Sequence, residues 1–213
     1  MAAVVVAYGC CVGSWEKYHA YVEPWIFAET IGRPIVLIEN PPSIGVAYNQ
    51  MLDSYRSWAV DAVVLLHDDL EITDPRAEVK FLEALATDPE IALVGVAGGH
   101  GVGSLAWWNA NTVGHQLIDS GMLDFGERTG YVDLLEGSIL VFSPWAVENL
   151  RFDENFAGFH GYDDVAMIAH SYGMRAYVAD VDTHHHTQLG FKSEESARAW
   201  FAADERFRQK WGF

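Results

Sequence analysis

Short apolar runs alternate with longer amphipathic segments in the first half of this chain of 213 residues. Four of the runs are too short for helices and rich in aliphatic and β-branched residues, which favours strands covered on both faces of a sheet. They are Ala2–Ala7, Pro34–Ile38, Ala62–Leu66 and Ile91–Val96. Helices are predicted to begin near Ser14, to run from Ser43 to about Ala59, and to run from Pro75 to Ala86. This alternation of strand and helix is typical of a doubly wound α/β sheet.

The second half of the chain continues the pattern with shorter elements. The predicted elements are strands within Tyr131–Phe142 and Arg175–Ala179, and helices that begin at Ser143, at Asp163 and near residue 193. The glycine-rich segment Gly98–Ser104 predicts a mobile loop, which either covers a substrate or is an inert surface connection. The fold class predicted for residues 1–213 is α/β, as a single domain with a mixed, mainly parallel sheet flanked by helices in a Rossmann-like order.

Polar side chains follow directly after the most apolar of the predicted strands. The segment Asp61–Pro75 contains the run Ala62–Leu66, and His67, Asp68 and Asp69 come next. Ligand sites in open α/β sheets lie at the carboxyl ends of strands. Residues 67 and 69 share one side of an extended chain, an arrangement that suits a hard divalent cation. The alternative is a solvated acidic turn that ends a buried strand.

Three consecutive histidines, His184–His186, follow the last predicted strand. Alternation along an extended chain aims His184 and His186 to one side and His185 to the other. Imidazole is a good ligand for ions of the Mn²⁺ type. Lys192, six residues after His186, is a cation that could contact a diphosphate.

Two neighbouring carboxylates, Asp163 and Asp164, stand at the predicted start of a helix that ends before Gly173. One interpretation is a capping pair that accepts hydrogen bonds from the first backbone N–H groups of the helix. The other is a catalytic base that faces the same cleft as Asp69. Both interpretations hold if one aspartate caps the helix and the other is free.

Composition and charge narrow the classes of function. Half of the residues are hydrophobic and eight are Trp, which provides for a sizeable core. The formal net charge of −17 argues against a protein that follows a nucleic-acid backbone, although a metal ion would allow binding of a phosphate-bearing small molecule. No apolar stretch approaches the ~20 residues of an integral membrane segment. The two cysteines, Cys10 and Cys11, are adjacent and lack zinc-site spacing, so a cytoplasmic location is expected.

Four segments together resemble the nucleotide-diphospho-sugar glycosyltransferases of the A-type fold, closest to the family 2-like group. They are Asn40–Gln50, Val63–Pro75 with its Asp-x-Asp-like metal motif, Asp163-Asp164 as an acidic base motif, and His184–His186 as the closing histidine. The resemblance extends from Val4 to Lys192 in the order of the family. His67 departs from it, because an Asp is usual at that position, and so does Gly161-Tyr162, where Glu-Asp usually precedes the last Asp.

The resemblance implies a metal-dependent enzyme that moves a sugar from a UDP- or GDP-sugar to an acceptor hydroxyl with inversion. The implied ligands of Mn²⁺ or Mg²⁺ are Asp69, one of His184 and His186, and His67. The implied base is Asp163 or Asp164. The residues implied on the donor side are Tyr8, Glu39, Asn49, Asp68 and Lys192, and those on the acceptor side are Trp107, Trp108 and Glu136. In this interpretation residues 1–100 bind the nucleotide sugar, 101–192 hold the acceptor and the catalytic groups, and 193–213 form a C-terminal helix.

Two other functions remain open from the residues alone. A nucleotide-sugar-binding or carbohydrate-binding protein of the same fold, without transfer activity, is favoured by the irregular His67. A metal-dependent phosphoester hydrolase would need a second metal about 3.5–4 Å from the first, and the sequence offers no second cluster of ligands.

Overall fold

The computed structural model describes residues 4–28, 32–156, 161–191 and 193–213, so Lys192 lies outside the described residues. The described strands are β1 (Val6–Val12), β2 (Ile35–Glu39), β3 (Ala62–His67), β4 (Leu70–Ile72), β5 (Ile91–Gly95), β6 (Ala97–His100), β7 (Asn111–Ile118), β8 (Gly121–Asp124), β9 (Gly130–Val132), β10 (Leu134–Leu135), β11 (Ile139–Phe142), β12 (Arg175–Val178) and β13 (Thr183–His185). The described helices are α1 (Trp15–Lys17), α2 (Glu23–Ile26), α3 (Ile44–Tyr55), α4 (Ala77–Thr87), α5 (Pro144–Asn149), α6 (Asp164–Ser171) and α7 (Glu194–Trp211). A π-helical turn, Tyr18–Val22, joins α1 to α2, and Trp107–Asn109 form a short 3₁₀ turn.

The larger sheet has the strand order β2-β1-β3-β11-β5-β12-β9 within the described chain. Its strands β1, β2, β3, β5 and β12 run in one direction, whereas β11 and β9 run against their neighbours. Because the side chains of a strand alternate between its faces, each face of this sheet has its own core. Helices α3, α5 and α6 cover one face, and α4 covers the other together with the π-helical turn. The predicted fold class, a mixed and mainly parallel sheet flanked by helices, is confirmed.

Strand β4, at one edge of the smaller sheet, is separated from the end of β3 by only two residues. This sheet has the order β10-β6-β7-β13-β4, with β8 added beside β7. Strand β4 pairs antiparallel with β13, so that His184 lies opposite Glu71 and His185 opposite Leu70. The turn Asp68-Asp69 therefore joins β3, an interior strand of the larger sheet, to β4 at the edge of the smaller sheet. The histidine segment lies beside this turn because β13 pairs with β4.

Strand β1 extends beyond the predicted boundary at Ala7 and continues to Val12. The residues Tyr8–Val12, which lie outside the predicted strand, pair with β2, and Tyr8–Cys11 pair also with β3 on the other side. Gly9 allows this close packing, because a side chain there would overlap Met51 and Leu65. Both cysteines are consequently buried as free thiols.

The glycine-rich segment that was predicted as a mobile loop begins as strand β6, paired with β7 and with β10. A side chain at Gly98 would overlap the carbonyl oxygen of Leu134, and one at Gly99 would overlap that of Trp107. The loop prediction is therefore wrong for Gly98–His100, where glycine permits a close approach of backbones.

Helix α7 closes the described chain, and its end is marked by Gly212 in the left-handed conformation at φ 77°. Among the described residues, no helix combines the length and the apolar character that crossing a membrane requires.

Candidate active site

The turn after β3 is tied to the loop after β1 through Asp68. Its Oδ2 atom accepts hydrogen bonds from the backbone N–H groups of Gly13 at 2.8 Å and Ser14 at 2.6 Å. Ser14 also caps α1, because its side chain accepts a hydrogen bond from the N–H of Lys17. The carboxyl ends of β1 and β3 and the start of α1 are thereby held together at one edge of the sheet.

A compact set of possible ligand atoms lies at this edge, formed by His67, Asp69 and His185, and is called the inner set below. One ligand atom from each lies within 4.8 Å of the others. The Asp69 Oδ1 atom is 3.2 Å from His185 Nε2 and 4.0 Å from His67 Nδ1, while Asp69 Oδ2 forms an ion pair with Lys17 Nζ at 2.8 Å. The ring of His67 packs edge-on against those of His185 and Tyr162.

The surroundings of the inner set keep Asp69 ionised. Burial favours the neutral acid, but the hydrogen bonds from His185 and Lys17 outweigh it and hold the pKa of Asp69 well below its usual range. Burial and the neighbouring His185 lower the pKa of His67, which favours its neutral imidazole. Burial opposes a charge on His185, yet Asp69 and Glu136 raise its pKa.

His184 and His186 do share one side, as alternation predicts, but that side faces away from Asp69. Their ring centroids are 3.7 Å apart, and Glu71 lies with them. The prediction that one of these two histidines joins Asp69 differs from the structure, which brings His185 to Asp69 instead. The reason is the pairing of β13 with β4, since a register shift by one residue exchanges the faces of a strand.

Glu136 lies beside the inner set and is held in place by its own neighbours. Its Oε2 atom accepts hydrogen bonds from the backbone N–H of Ser138 at 2.9 Å and from the Ser138 hydroxyl, and its Oε1 atom is 4.0 Å from His185 Nδ1. Gly137 follows, and a side chain there would overlap Tyr162 and the carboxylate of Asp163. The glycine therefore lets the segment before α6 pack closely against Glu136.

The two adjacent aspartates have different surroundings. Asp164 is buried and accepts hydrogen bonds from Lys210 Nζ at 2.6 Å and from Trp211 Nε1 at 2.5 Å, which anchor α7 to α6. Asp163 makes no side-chain cap bond, and its buried Oδ1 atom has no hydrogen-bond partner among the described residues. Burial, with the charges of Glu136 and Asp164, raises the pKa of Asp163 well above its usual range.

Three residues predicted on the donor side lie in different places. Tyr8 is fully buried, and its hydroxyl donates to Glu78 at 2.7 Å, so its ring belongs to the core and not to a binding surface. Asn49 is also buried and exchanges hydrogen bonds with the backbone of Phe152. Glu39 is exposed at the end of β2, where its Oε1 atom accepts a hydrogen bond from Trp15 Nε1 at 3.0 Å.

The tryptophans predicted for the acceptor differ in exposure. Trp107 is 5% exposed and packs against Phe125, so its ring lies in the core. Trp108 is 50% exposed and lies 5.8 Å from the ring of Trp200 in α7. Of the two, only Trp108 presents a ring to solvent.

Sequence reasoning missed Lys17 and His185. A signal for Lys17 was present, because it lies in the first turn of a helix that follows the strand next to β3. For His185 there was none, because its direction depends on the register of β13.

The inner set fits a divalent cation by the chemistry of its donors. The buried Nε2 atom of His67 makes no hydrogen bond, so it is not committed to a protein partner among the described residues. Two imidazoles and one carboxylate suit a transition-type ion such as Mn²⁺ better than Mg²⁺, which prefers oxygen ligands.

Comparisons with known proteins agree with this geometry. A family model described as "Glycosyltransferase like family" matches residues 14–205. The streptomycin biosynthesis protein StrF of Streptomyces griseus is 30% identical over 195 residues, which cover 88% of this chain and 69% of that protein.

Two solved structures share the fold at low sequence identity. GalNAc-T7, solved with UDP, GalNAc and Mn²⁺, has a TM-score of 0.60 at 7% identity over 88% of this chain and 45% of its own. A197 from STIV has a TM-score of 0.55 at 12% identity over 87% of each chain. The chain belongs to the glycosyltransferase-like family and is a glycosyltransferase of the A-type fold.

Proposed function

We propose that this enzyme transfers a sugar from a nucleotide-diphosphate sugar to an acceptor hydroxyl, with inversion at the anomeric carbon and with a divalent metal at the inner set. The observation that carries the proposal is the convergence of His67, Asp69 and His185 at the edge where β1 and β3 end. Ligands of α/β sheets bind at such edges. The solved GalNAc-T7, which has a similar fold, contains UDP and Mn²⁺.

His67, Asp69 and His185 would hold the ion. When bound, a divalent cation supplies positive charge that stabilises the diphosphate as the bond to the sugar breaks. Lys17 is a second source of positive charge, because its ammonium is 2.8 Å from Asp69 and 38% of its side chain is exposed. These two charges meet the need of a leaving diphosphate in a chain whose formal net charge is −17.

The donor would lie along the ends of β1 and β2. Asp68 holds the Gly13–Ser14 backbone in position there, and Glu39 is exposed at the end of β2, where it pairs with Val12 of β1. In this role Asp68 and Glu39 shape the donor surface, whereas the buried Tyr8 and Asn49 support it from the core.

Asp163 is the proposed base. Its Oδ1 atom has no partner among the described residues, in contrast to Asp164, both of whose oxygens accept hydrogen bonds. Asp163 would take the proton of the acceptor hydroxyl as the oxygen attacks the anomeric carbon. Burial, with the charges of Glu136 and Asp164, raises the pKa of Asp163, which makes its ionised carboxylate a stronger base. The exposed ring of Trp108 and the carboxylate of Glu136 would orient the acceptor.

A donor panel tests the proposal. UDP- and GDP-sugars are incubated with the purified enzyme and Mn²⁺, and release of the nucleoside diphosphate is measured with and without a chelator. We expect release with at least one donor, loss of release on chelation, and the same loss in Asp69→Asn. Asp124→Asn, a change at an exposed carboxylate outside the inner set, is the matched control. Binding of a donor without release under all conditions would favour a non-catalytic binding protein and would contradict the proposal.

A further inference from the structure

The paired strands β4 and β13 form a two-stranded ribbon. A second set of possible ligands lies on its outer face, the face that points away from Asp69. His184 is directly opposite Glu71, and residues paired in this way project to the same face. His186 continues that face two residues later, beyond the end of β13. One ligand atom from each of these three residues lies within 4.8 Å of the others.

A fourth side chain, Asp119, reaches this set from the end of β7, which runs parallel beside β13. Its Oδ1 atom is 3.4 Å from His184 Nε2 and 3.6 Å from His186 Nδ1. The other nitrogen of His186, Nε2, is 2.9 Å from Glu71 Oε2. The buried Nε2 atom of His184 makes no hydrogen bond in the described chain, so no protein hydrogen bond competes with a ligand there.

We propose that Glu71, Asp119, His184 and His186, called the outer set below, bind a transition-metal ion of the Zn²⁺ class at a site separate from the inner set. Zn²⁺ is commonly held by four nitrogen, sulfur or oxygen donors. Glu71, His184 and His186 supply three donors close together, and Asp119 beside both imidazoles is the nearest fourth. Two carboxylates also balance the charge of a divalent ion. His185 points to the opposite face, where it contacts Asp69, so the two sets share no ligand.

The outer set is placed to stabilise the fold around the active site. An ion there would link the ends of β4, β7 and β13. The ring of His186 stacks on Tyr21 with centroids 3.6 Å apart, and Tyr21 belongs to the π-helical turn. Lys17, which contacts Asp69, immediately precedes that turn. The ion would thus fix the ribbon and the helical segment that together position the inner set, without touching the reacting groups.

The competing explanation needs no metal. A protonated His186 between Glu71 and Asp119 would form ordinary ion pairs, and His184 would then serve as a stacking partner. The two explanations differ in whether the outer set takes up Zn²⁺ that survives gel filtration.

The test uses the full chain freed of metal with a chelator and then titrated with Zn²⁺. Retained metal is counted by mass spectrometry after gel filtration, affinity is measured by calorimetry, and the melting temperature is recorded with and without Zn²⁺. The variants are the double change His184→Ala/His186→Ala, the single change Glu71→Gln, and Asp69→Asn in the inner set. His19→Ala is the control, since His19 is an exposed histidine outside both sets.

We expect the double variant to lose one equivalent of Zn²⁺ that Asp69→Asn and His19→Ala retain. The rise in melting temperature with Zn²⁺ should shrink in the double variant, because an ion that binds only the folded chain stabilises it. Glu71→Gln alters an exposed side chain and should fold normally, with at least a tenfold weaker affinity, so it tests the site even if the double variant does not fold.

Unchanged Zn²⁺ uptake in a folded double variant, or in Glu71→Gln, would overturn the proposal. If the wild type retains a single equivalent of Zn²⁺ and both Asp69→Asn and the double variant lose it, the chain has one shared site and the proposal is overturned. Equal losses in His19→Ala would show adventitious surface binding only. If Asp69→Asn binds metal like the wild type while the double variant does not, the outer site stands and the metal assignment of the inner set fails.

Discussion

The two faces of the β4–β13 ribbon carry the same types of ligand but differ in what surrounds them. The inner set of His67, Asp69 and His185 lies at the carboxyl end of β3, with Glu136 close to His185. The outer set of Glu71, Asp119, His184 and His186 is more exposed, and the ring of Tyr21 packs against its His186. The comparison teaches that donor chemistry alone does not identify a catalytic centre. We assign the proposed catalytic role to the inner set because it lies at the carboxyl end of β3, near Glu136.

The largest effect on activity is expected from Asp163, the proposed base, which lies near Glu136. Asp163→Asn should lower turnover about 10²–10⁴-fold with donor binding nearly unchanged, because the variant cannot accept the proton of the acceptor. Single-turnover transfer and donor calorimetry measure the two effects separately. Full turnover in this variant would place the base elsewhere.

Asp164→Asn is the matched partner of that change. It weakens the bonds to Lys210 and Trp211 and should cost about 1–3 kcal/mol of stability, as lost hydrogen bonds to a buried charged group do. Turnover at a temperature well below melting should change far less than in Asp163→Asn. Equal losses of turnover would contradict the distinction between the two aspartates.

Single histidine changes on the two faces of the ribbon should differ in their effect on metal-dependent activity. His185→Ala removes a proposed ligand and should weaken the metal-dependent activity by more than about 100-fold, since even partners outside the ligand shell cost about 10–100-fold. His184→Ala lies on the other face and should lower activity much less. The Mn²⁺ concentration that gives half-maximal activity reports the difference, and a reversed order would contradict the observed register.

The pH dependence should reveal Asp163 as well. Because a base must be ionised, kcat/KM should fall as the pH drops through the raised pKa of Asp163, and the pH profile of Asp163→Asn should lack that fall.

The same raised pKa affects the free energy of unfolding in the opposite direction, because folding favours the protonated Asp163. With a folded pKa above the unfolded one, Asp163 contributes stability that is fully present below the ordinary aspartate range and is lost as the pH rises through the raised pKa. Thermal unfolding should therefore show that Asp163→Asn is more stable than the wild type at alkaline pH.

A smaller effect is expected for the cation of the inner set. Lys17→Met should raise the KM for the donor about tenfold, because a charged hydrogen bond contributes about 1.5–3 kcal/mol. The activity of Lys80→Met, which removes a lysine that pairs with Asp74 away from the inner set, should remain near that of the wild type. Steady-state kinetics at saturating metal compares the two variants.

The sequence predicts the central features of this molecule well where they depend on local pattern. The apolar run Ala62–Leu66 forms the interior strand expected of it, and the charged turn follows at its carboxyl end. The sharing of one face by His184 and His186 also follows from alternation alone. These features need only the period of a strand and the chemistry of a turn.

Features that depend on contacts between distant segments could not be read in the same way. Alternation leaves open which face of His184–His186 meets Asp69, because the pairing of β13 with β4 decides it. The Gly98-Gly99 pair suggests a loop until the backbones of Leu134 and Trp107 are known to pass beside it. The family resemblance implies a donor contact for Tyr8, although β1 continues through this residue and buries its ring in the core.

Calorimetry of donor binding tests the central claim most directly. A UDP- or GDP-sugar that gives turnover is titrated into wild type, Asp69→Asn and His184→Ala/His186→Ala, each with and without Mn²⁺. We expect Mn²⁺ to strengthen donor binding in the wild type and in the double variant, and to have no effect in Asp69→Asn. Donor binding that is independent of Mn²⁺ in the wild type, or that Asp69→Asn leaves unchanged, would contradict a metal-dependent transfer at the inner set.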